Sequence, residues 1–282
     1  MRECVRLLDE AIERQREERL VGGEATSLAF RSRFEALLGE FDKSAASLEA
    51  AFALLSRVPP ESNAVLQVMA APMLNDVLFG REIAPDAMEV VVEFADRPDT
   101  QWAGLVLRLG AARSHARAGN ATQALEILDK MITAIDRAAA WAVNAQIVFS
   151  YAVDVLWALE RTEHLAAVER NVREKWLEPD LCYPGVDSRW SYALLCALDG
   201  RVDEARTWFA ESRRVLLEQE SEPLIVAVEH DAALMELRLG AHGDADRFAE
   251  CIAAARARCT HPAMAAWLPR LDELEARAAS AF

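Results

Sequence analysis

The sequence is short of lysine, glycine, proline, cysteine and net positive charge, and each shortage excludes something. Only three of its 31 basic residues are lysine (Lys43, Lys130 and Lys175). That arginine bias is what a GC-rich bacterial genome produces. Glycine (11) and proline (10) are sparse for 282 residues, which favours helix over turn-rich sheet. Valine and isoleucine never alternate with polar residues over a strand length, so no half-buried sheet is signalled. The five cysteines, Cys4, Cys182, Cys196, Cys251 and Cys259, are odd in number and form no CxxC pair. Cys196 and Cys251 lie in apolar helical pattern, as reduced buried thiols do. No run of 18 uncharged apolar residues occurs, and Arg2, Glu3, Arg6, Asp9 and Glu10 break up the start. Neither a membrane span nor a secretory signal is therefore expected, and a reducing cytoplasm fits. With 46 acidic residues the net charge is −15, which disfavours direct binding to a phosphate backbone.

Catalytic patterns are missing as well. The phosphate-cradling loops GxxxxGK(S/T) and GxGxxG do not occur, nor do GxSxG or a DDxxD-like metal motif. The five histidines (His115, His164, His230, His242, His261) form no HxxxH, HExxH or Cys/His cluster. His230 and Asp231 are adjacent, and neighbours on a helix point in different directions, so a solvated surface pair is expected there. The chain is read as non-enzymatic, with no cofactor and no metal.

What is present is a period. Gly39, Gly80, Gly119, Glu160, Gly200 and Gly240 follow one another at intervals of 39 to 41 residues, and five of the six are glycine. A glycine just past a helix end takes the left-handed conformation at no Cβ penalty. Asp42, Asn120, Thr122, Thr162 and Asp203 follow as candidate caps of the next helix. Five residues after the marked position a small residue recurs (Ser44, Ala124, Ala205, Ala245), and four further on comes Leu48, Leu128 or Phe209. Seven residues before it stand Ser32, Ala112, Ala193 and Ala233. Small residues on both sides are what a close antiparallel helix pair needs. Helices are expected near 1–20, 25–38, 42–57, 63–79, 85–96, 100–118, 121–138, 140–159, 162–177, 187–199, 202–219, 222–239, 243–258 and 262–279. Pro59, Pro60, Pro98, Pro179, Pro184, Pro223 and Pro262 punctuate the joints. Pro72 should kink or end its helix, Glu160 and Leu165 should loosen or shift the fourth unit, and Pro269 should split the last helix. Segment 180–188 is read as a break between the fourth and fifth units.

The spacing of Trp190, Ala193, Gly200, Ala205 and Phe209 resembles the tetratricopeptide repeat, with a period of 40 residues in place of 34. The resemblance covers roughly residues 25–260 and implies an all-α, right-handed α-solenoid of about 14 helices. It reads as one domain over 1–282, with units at about 25–60, 61–98, 99–139, 140–180, 185–221 and 222–260. Terminal helices lie at 1–20 and 262–280; the first reads like the second helix of a pair whose first is missing. The closing stretch, 221–257, is similar to the last repeats of large bacterial LuxR-type and cyclase-associated signal-transducing ATPases. That implies a regulatory region, with an ATPase or cyclase domain in a longer polypeptide.

In such arrays the first helix of each pair lines the concave face. If that register carries over, the groove comprises Arg113, Arg117, Asp154, Trp157, Asp187, Trp190, His230 and Leu234, a set suited to a protein or peptide partner. The first helices of units three to six hold no lysine and one asparagine, Asn144, which argues against an acidic chaperone tail. Arg113→Glu with Arg117→Glu is expected to abolish binding and leave the fold intact. The alternative is a receptor for a small molecule or signalling peptide, with its pocket at the irregular second and fourth units. Most of the seven tryptophans, Trp102, Trp141, Trp157, Trp176, Trp190, Trp208 and Trp267, lie on apolar faces and are expected in the core.

Ala205 gives the test of the packing rule. Ala205→Leu should overpack the helix pair and cost about 1–3 kcal/mol, read as a lower denaturant midpoint.

Overall fold

The computed structural model describes residues 1–81, 83, 93, 101–137, 145–175 and 185–281. Among these residues the chain is all-α and contains no strand. Thirteen α-helices are described: α1 (Arg2–Glu17), α2 (Val21–Leu37), α3 (Phe41–Leu54), α4 (Asn63–Leu78), α5 (Gln101–Arg117), α6 (Ala121–Arg137), α7 (Ala145–Leu159), α8 (Leu165–Lys175), α9 (Ser188–Leu198), α10 (Val202–Glu218), α11 (Glu222–Leu239), α12 (Ala245–Arg258) and α13 (Trp267–Ala278). Single 3-10 turns stand at Leu55–Arg57, Gly240–His242 and Pro262–Met264. The helix expected over 85–96 lies outside the described residues. So do Pro98, Trp141, Asn144, Trp176, Pro179, Cys182, Pro184 and the side chain of Trp102.

One turn recurs along the chain. Gly39, Gly80, Gly119 and Gly200 have φ of 73°, 73°, 80° and 76°, and Glu160 takes the same left-handed region at 53°. Each marks a pair of closing hydrogen bonds. Gly200 N–H donates to Ala197 O (3.2 Å) and Arg201 N–H to Cys196 O (2.8 Å); Glu160 and Arg161 repeat this with Trp157 O (3.3 Å) and Leu156 O (2.9 Å). These are the bonds that satisfy the last carbonyls of a helix. The following residue is already the N-cap of the next helix, Glu40 after Gly39 and Arg201 after Gly200, so the chain reverses within three residues. Glu160 lacks glycine's freedom, and Arg238 of α11 supports it. The guanidinium donates to Trp157 O (3.0 Å), lies 4.1 Å from the Trp157 ring centre, and pairs with Glu160 (3.2 Å).

The small residues sit at the helix contact. Ala112, Ala124, Ala193, Ala205 and Ala233 are fully buried. In the first unit serines replace alanines: Ser32 Oγ and Ser44 Oγ lie 3.0 Å apart, and Asn75 Nδ2 donates to Ser32 Oγ (3.2 Å). Leu128 and Phe209 are buried one turn further on.

Five expectations need correction. Asp42 and Asp203 do not cap their helices: they lie inside the first turn, where a carboxylate opposes the helix dipole. Ala245 is exposed and Phe248 is buried instead. A 3-10 turn at Gly240–His242 delays α12, and Asp244 caps it from Arg247 N–H (3.0 Å), so the buried stripe moves along by three residues. Of the two outcomes expected at Pro72, a kink or an early end, the early end does not occur: α4 continues to Leu78. Val68 and Ala71 pack against Ala25, Leu28 and Ala29 of α2, and that burial outweighs one lost backbone bond. Pro269 falls in the first turn of α13, where proline is tolerated; the break in 262–279 comes earlier, after Met264. The fourth unit is shifted as expected: α8 starts five residues after Glu160, whereas α10 starts two after Gly200.

The first helices form an inner layer, and each described second helix packs outside its partner. Contacts run α2–α4–α5–α7–α9–α11, and α11 then meets α2 and α4, so the inner layer closes on itself. Trp267 of α13 completes the closure. It is 1% exposed, and its indole Nε1–H donates to Leu78 O at the end of α4 (3.1 Å).

Two substitutions separate backbone conformation from packing. Gly200→Ala should cost about 1 kcal/mol, because a Cβ there meets nothing within 4 Å and only the left-handed φ is penalised. Glu160→Gly should move stability the other way. Urea midpoints measure both, and shifts of the same sign would refute the explanation.

Candidate functional site

The inward faces of the first helices carry polar side chains in register. On α7 they are Gln146, Ser150 and Asp154, spaced four apart and therefore on one face; all three are buried. Gln146 Nε2 donates to Ser188 Oγ of α9 (2.6 Å), and Ser191 Oγ donates to Ser150 Oγ (2.9 Å). Asp154 pairs with Arg113 of α5, and Arg117 stands 3.8 Å away. The Arg113 guanidinium also lies 5.4 Å from the Tyr151 ring centre. On the neighbouring helices Trp190 Nε1–H donates to Asp231 Oδ2 (3.2 Å), and His230 Nδ1 lies 2.9 Å from Asp231 Oδ1.

These groups form one electrostatic centre of two arginines, two aspartates and a histidine. Burial pushes Asp154 above the ordinary carboxylate range and Arg113 below the ordinary guanidinium value, and their mutual attraction opposes both shifts. At Asp231 the balance differs. Burial would raise its pKa, but the His230 hydrogen bond and the charges of His230, Arg117 and Arg113 together hold it below the usual value.

The eight groove residues expected from sequence divide as follows. Arg113, Arg117, Asp154, Trp190 and His230 come together in this centre. Trp157 instead supports Arg238. Asp187 caps α9, accepting from Arg189 N–H (3.1 Å) and from Ser212 of α10. Leu234 belongs to the main apolar core. Two expectations are corrected. His230–Asp231 is not a solvated surface pair, since Asp231 is 2% exposed. Arg113→Glu is no clean probe of binding, because it would set two buried carboxylates against each other. Asp231 and Trp267 were missed. A signal for Asp231 exists: it is flanked in sequence by the apolar runs 223–228 and 232–235, in a helix that is buried along most of its length.

No protein-family model, curated protein or solved structure matches this chain. The site is therefore read from its own geometry.

Two clefts are found among the described residues, and neither is lined by residues of the centre. One, about 260 Å³, is lined by Thr26, Phe30, Arg33, Leu66, Gln67 and Leu107, among others, on α2, α4, α5 and α7. The other, about 350 Å³, lies between α10, α11 and α12. Its arginines are matched to carboxylates: Arg206 binds Glu236 through two 2.8 Å bonds, and Arg213 binds Glu229. The Cys251 thiol beside them is pushed up to about 12, mainly by burial, and so stays protonated and unreactive. Among the described residues no group of three or more His, Cys, Asp or Glu is placed to hold a metal ion, and no helix is long and apolar enough to cross a membrane.

The depressed Asp231 gives a pH prediction. A carboxylate with a lowered folded pKa contributes stability above its unfolded pKa, about 3.9 for aspartate, and loses it as pH falls through the folded value. Asp231→Asn should therefore destabilise the protein at neutral pH, with the gap to wild type shrinking below about pH 4. Urea midpoints across pH 3 to 7 give the answer; a gap independent of pH would refute it.

Proposed function

We propose that the chain is a non-catalytic scaffold for a protein or peptide partner, built as a tetratricopeptide-like α-solenoid whose ends meet. The observation that carries this reading is the recurring left-handed turn, which stands seven times among the described residues with the same pair of closing bonds, at Arg19, Gly39, Gly80, Gly119, Glu160, Gly200 and Glu220. It stacks helix pairs so that every first helix faces one interior. Repetition of this kind builds a binding surface and leaves chemistry to other proteins. The polar bank on α5, α7, α9 and α11 supplies the recognition groups: arginine and tryptophan are among the side chains that dominate binding surfaces. In this reading the scaffold is the sensor or regulatory arm of a bacterial signal-transduction or transcriptional regulator in the cytoplasm, with an ATPase or cyclase domain in the longer polypeptide.

The cleft of about 260 Å³ favours a second reading, a receptor for a small molecule or signalling peptide. Its lining joins buried apolar side chains (Leu66, Leu107, Ile147) to a few polar ones, Thr26, Arg33, Asn63 and Gln67, the composition of a small-ligand site. It lies on α4, the helix with Pro72, and reaches α7 of the fourth unit.

A photo-crosslinking residue at Arg117 or His230, the half-buried positions at the centre, should capture a discrete protein in the host. The same residue at Asp203, which is fully exposed on the outside, should not. Equal capture from Asp203, or none from the groove, would sink the scaffold reading. Stabilisation of the protein by a small metabolite, lost in Leu107→Trp, would establish the second.

A further inference from the structure

We propose that Trp267 is a latch. Its indole closes the inner layer by seating on Gly80, and its withdrawal opens the face carrying Arg113, Arg117, Asp154 and Asp231 to a partner. The proposal deepens the scaffold reading and rests on it for what the face binds.

The seat is built for an indole. Trp267 Nε1–H donates to Leu78 O (3.1 Å), and the ring lies so close to Gly80 that an added Cβ would stand 2.8 Å from two of its carbons. Gly80 therefore answers to two demands, its left-handed φ of 73° and the space for the ring. On its other side the indole meets His230, ring centres 5.4 Å apart, and His230 touches Asp231. The latch thus sits directly on the charged centre.

The rest of the closure joins apolar packing to surface contacts: Ala36, Leu37 and Leu78 share one core with α11 and α13, α11 meets α2 and α4, and Glu222 lies against Gly39. Phe41 touches Phe79 and His261, with ring centres 5.4 and 4.6 Å apart. Arg2 pairs with Glu220 on the surface, and His261 stands 4.0 Å from Asp42. Trp267 is also set behind a joint, the 3-10 turn Pro262–Met264, which separates α13 from α12.

The bonds beneath do not cross the closure, although the charges of Arg113 and Arg117 on α5 also reach Asp231 on α11. The bonds Gln146–Ser188, Ser150–Ser191, Arg113–Asp154 and Trp190–Asp231 join α7 to α9, α5 to α7, and α9 to α11. They are made between neighbouring first helices, so parting α13 and α11 from α2 and α4 breaks none of them. A face whose polar groups satisfy one another without the closure is suited to exposure. An interior closed for good is better filled with apolar side chains. A partner that binds only the opened form then shifts the population toward it.

Solution X-ray scattering and far-UV circular dichroism on three variants test this. Trp267→Ala removes the latch, and Gly80→Ala obstructs its seat. Gly119→Ala carries the same backbone penalty as Gly80→Ala, but its Cβ meets nothing within 4 Å. The first two should have a larger radius of gyration than wild type at unchanged helicity, and the third should not. A wild-type radius in either of the first two, or equal expansion in the third, overturns the latch. If either loses its helicity, wild type in a urea series decides: expansion ahead of helix loss supports the latch, and coincident transitions overturn it. No partner enters these measurements, so failure to capture one bears on the scaffold reading alone.

Discussion

Reversing the chain within three residues is the constraint on which the rest of the structure depends. The residue after the left-handed position must end one helix and cap the next, as Glu40 and Arg201 do. That leaves no slack, so the two helices leave the turn nearly in contact. Alanine or serine is then required on both sides of the contact, and Ala193 and Ala205 are accordingly fully buried. Arg19 and Glu220 show how strong the demand is: both take the left-handed region at φ 58° without glycine's freedom, each between helices only three residues apart. Where the turn is replaced by a 3-10 segment, at Gly240–His242, the buried pattern slips by three residues and Phe248 takes the place of a small side chain.

The second theme is the treatment of charge inside. Burying an ion costs several kcal/mol unless it is paired and hydrogen-bonded, and here the buried ions come in matched sets: Arg113 and Arg117 face Asp154, while Glu229 and Glu236 each hold an arginine. Arginine suits this role because its planar fork meets a carboxylate in two parallel bonds, as Arg206 does with Glu236. The scarcity of lysine is therefore compatible with the interior, whatever its genomic origin.

Much of the fold could be read in the residues, because its signals are local. Gly39, Gly80, Gly119 and Gly200 mark their turns by chemistry that needs no partner, and the spacing of Ala112 and Ala124 follows from helix geometry. The site was harder to read. Its register assembled five of the eight proposed groove residues, because first helices do face inward. The rule that adjacent residues on one helix diverge puts Asp231 at the surface only because it ignores the helices on every other side. Asp42 and Asp203 resemble caps in sequence because a cap and a first-turn acid differ by only two positions.

The residues along the chain are enough to set the helices, their turns and their 40-residue rhythm, since each depends on backbone conformation and on neighbours a few positions away. Closure is a different matter. That Trp267 rests on Gly80 and bonds Leu78, 189 positions distant, depends on how distant helices pack, and no local pattern records it. The same packing decides that Arg113, Asp154 and Asp231 are buried, Arg113 with Asp154 and Asp231 with Trp190 and His230.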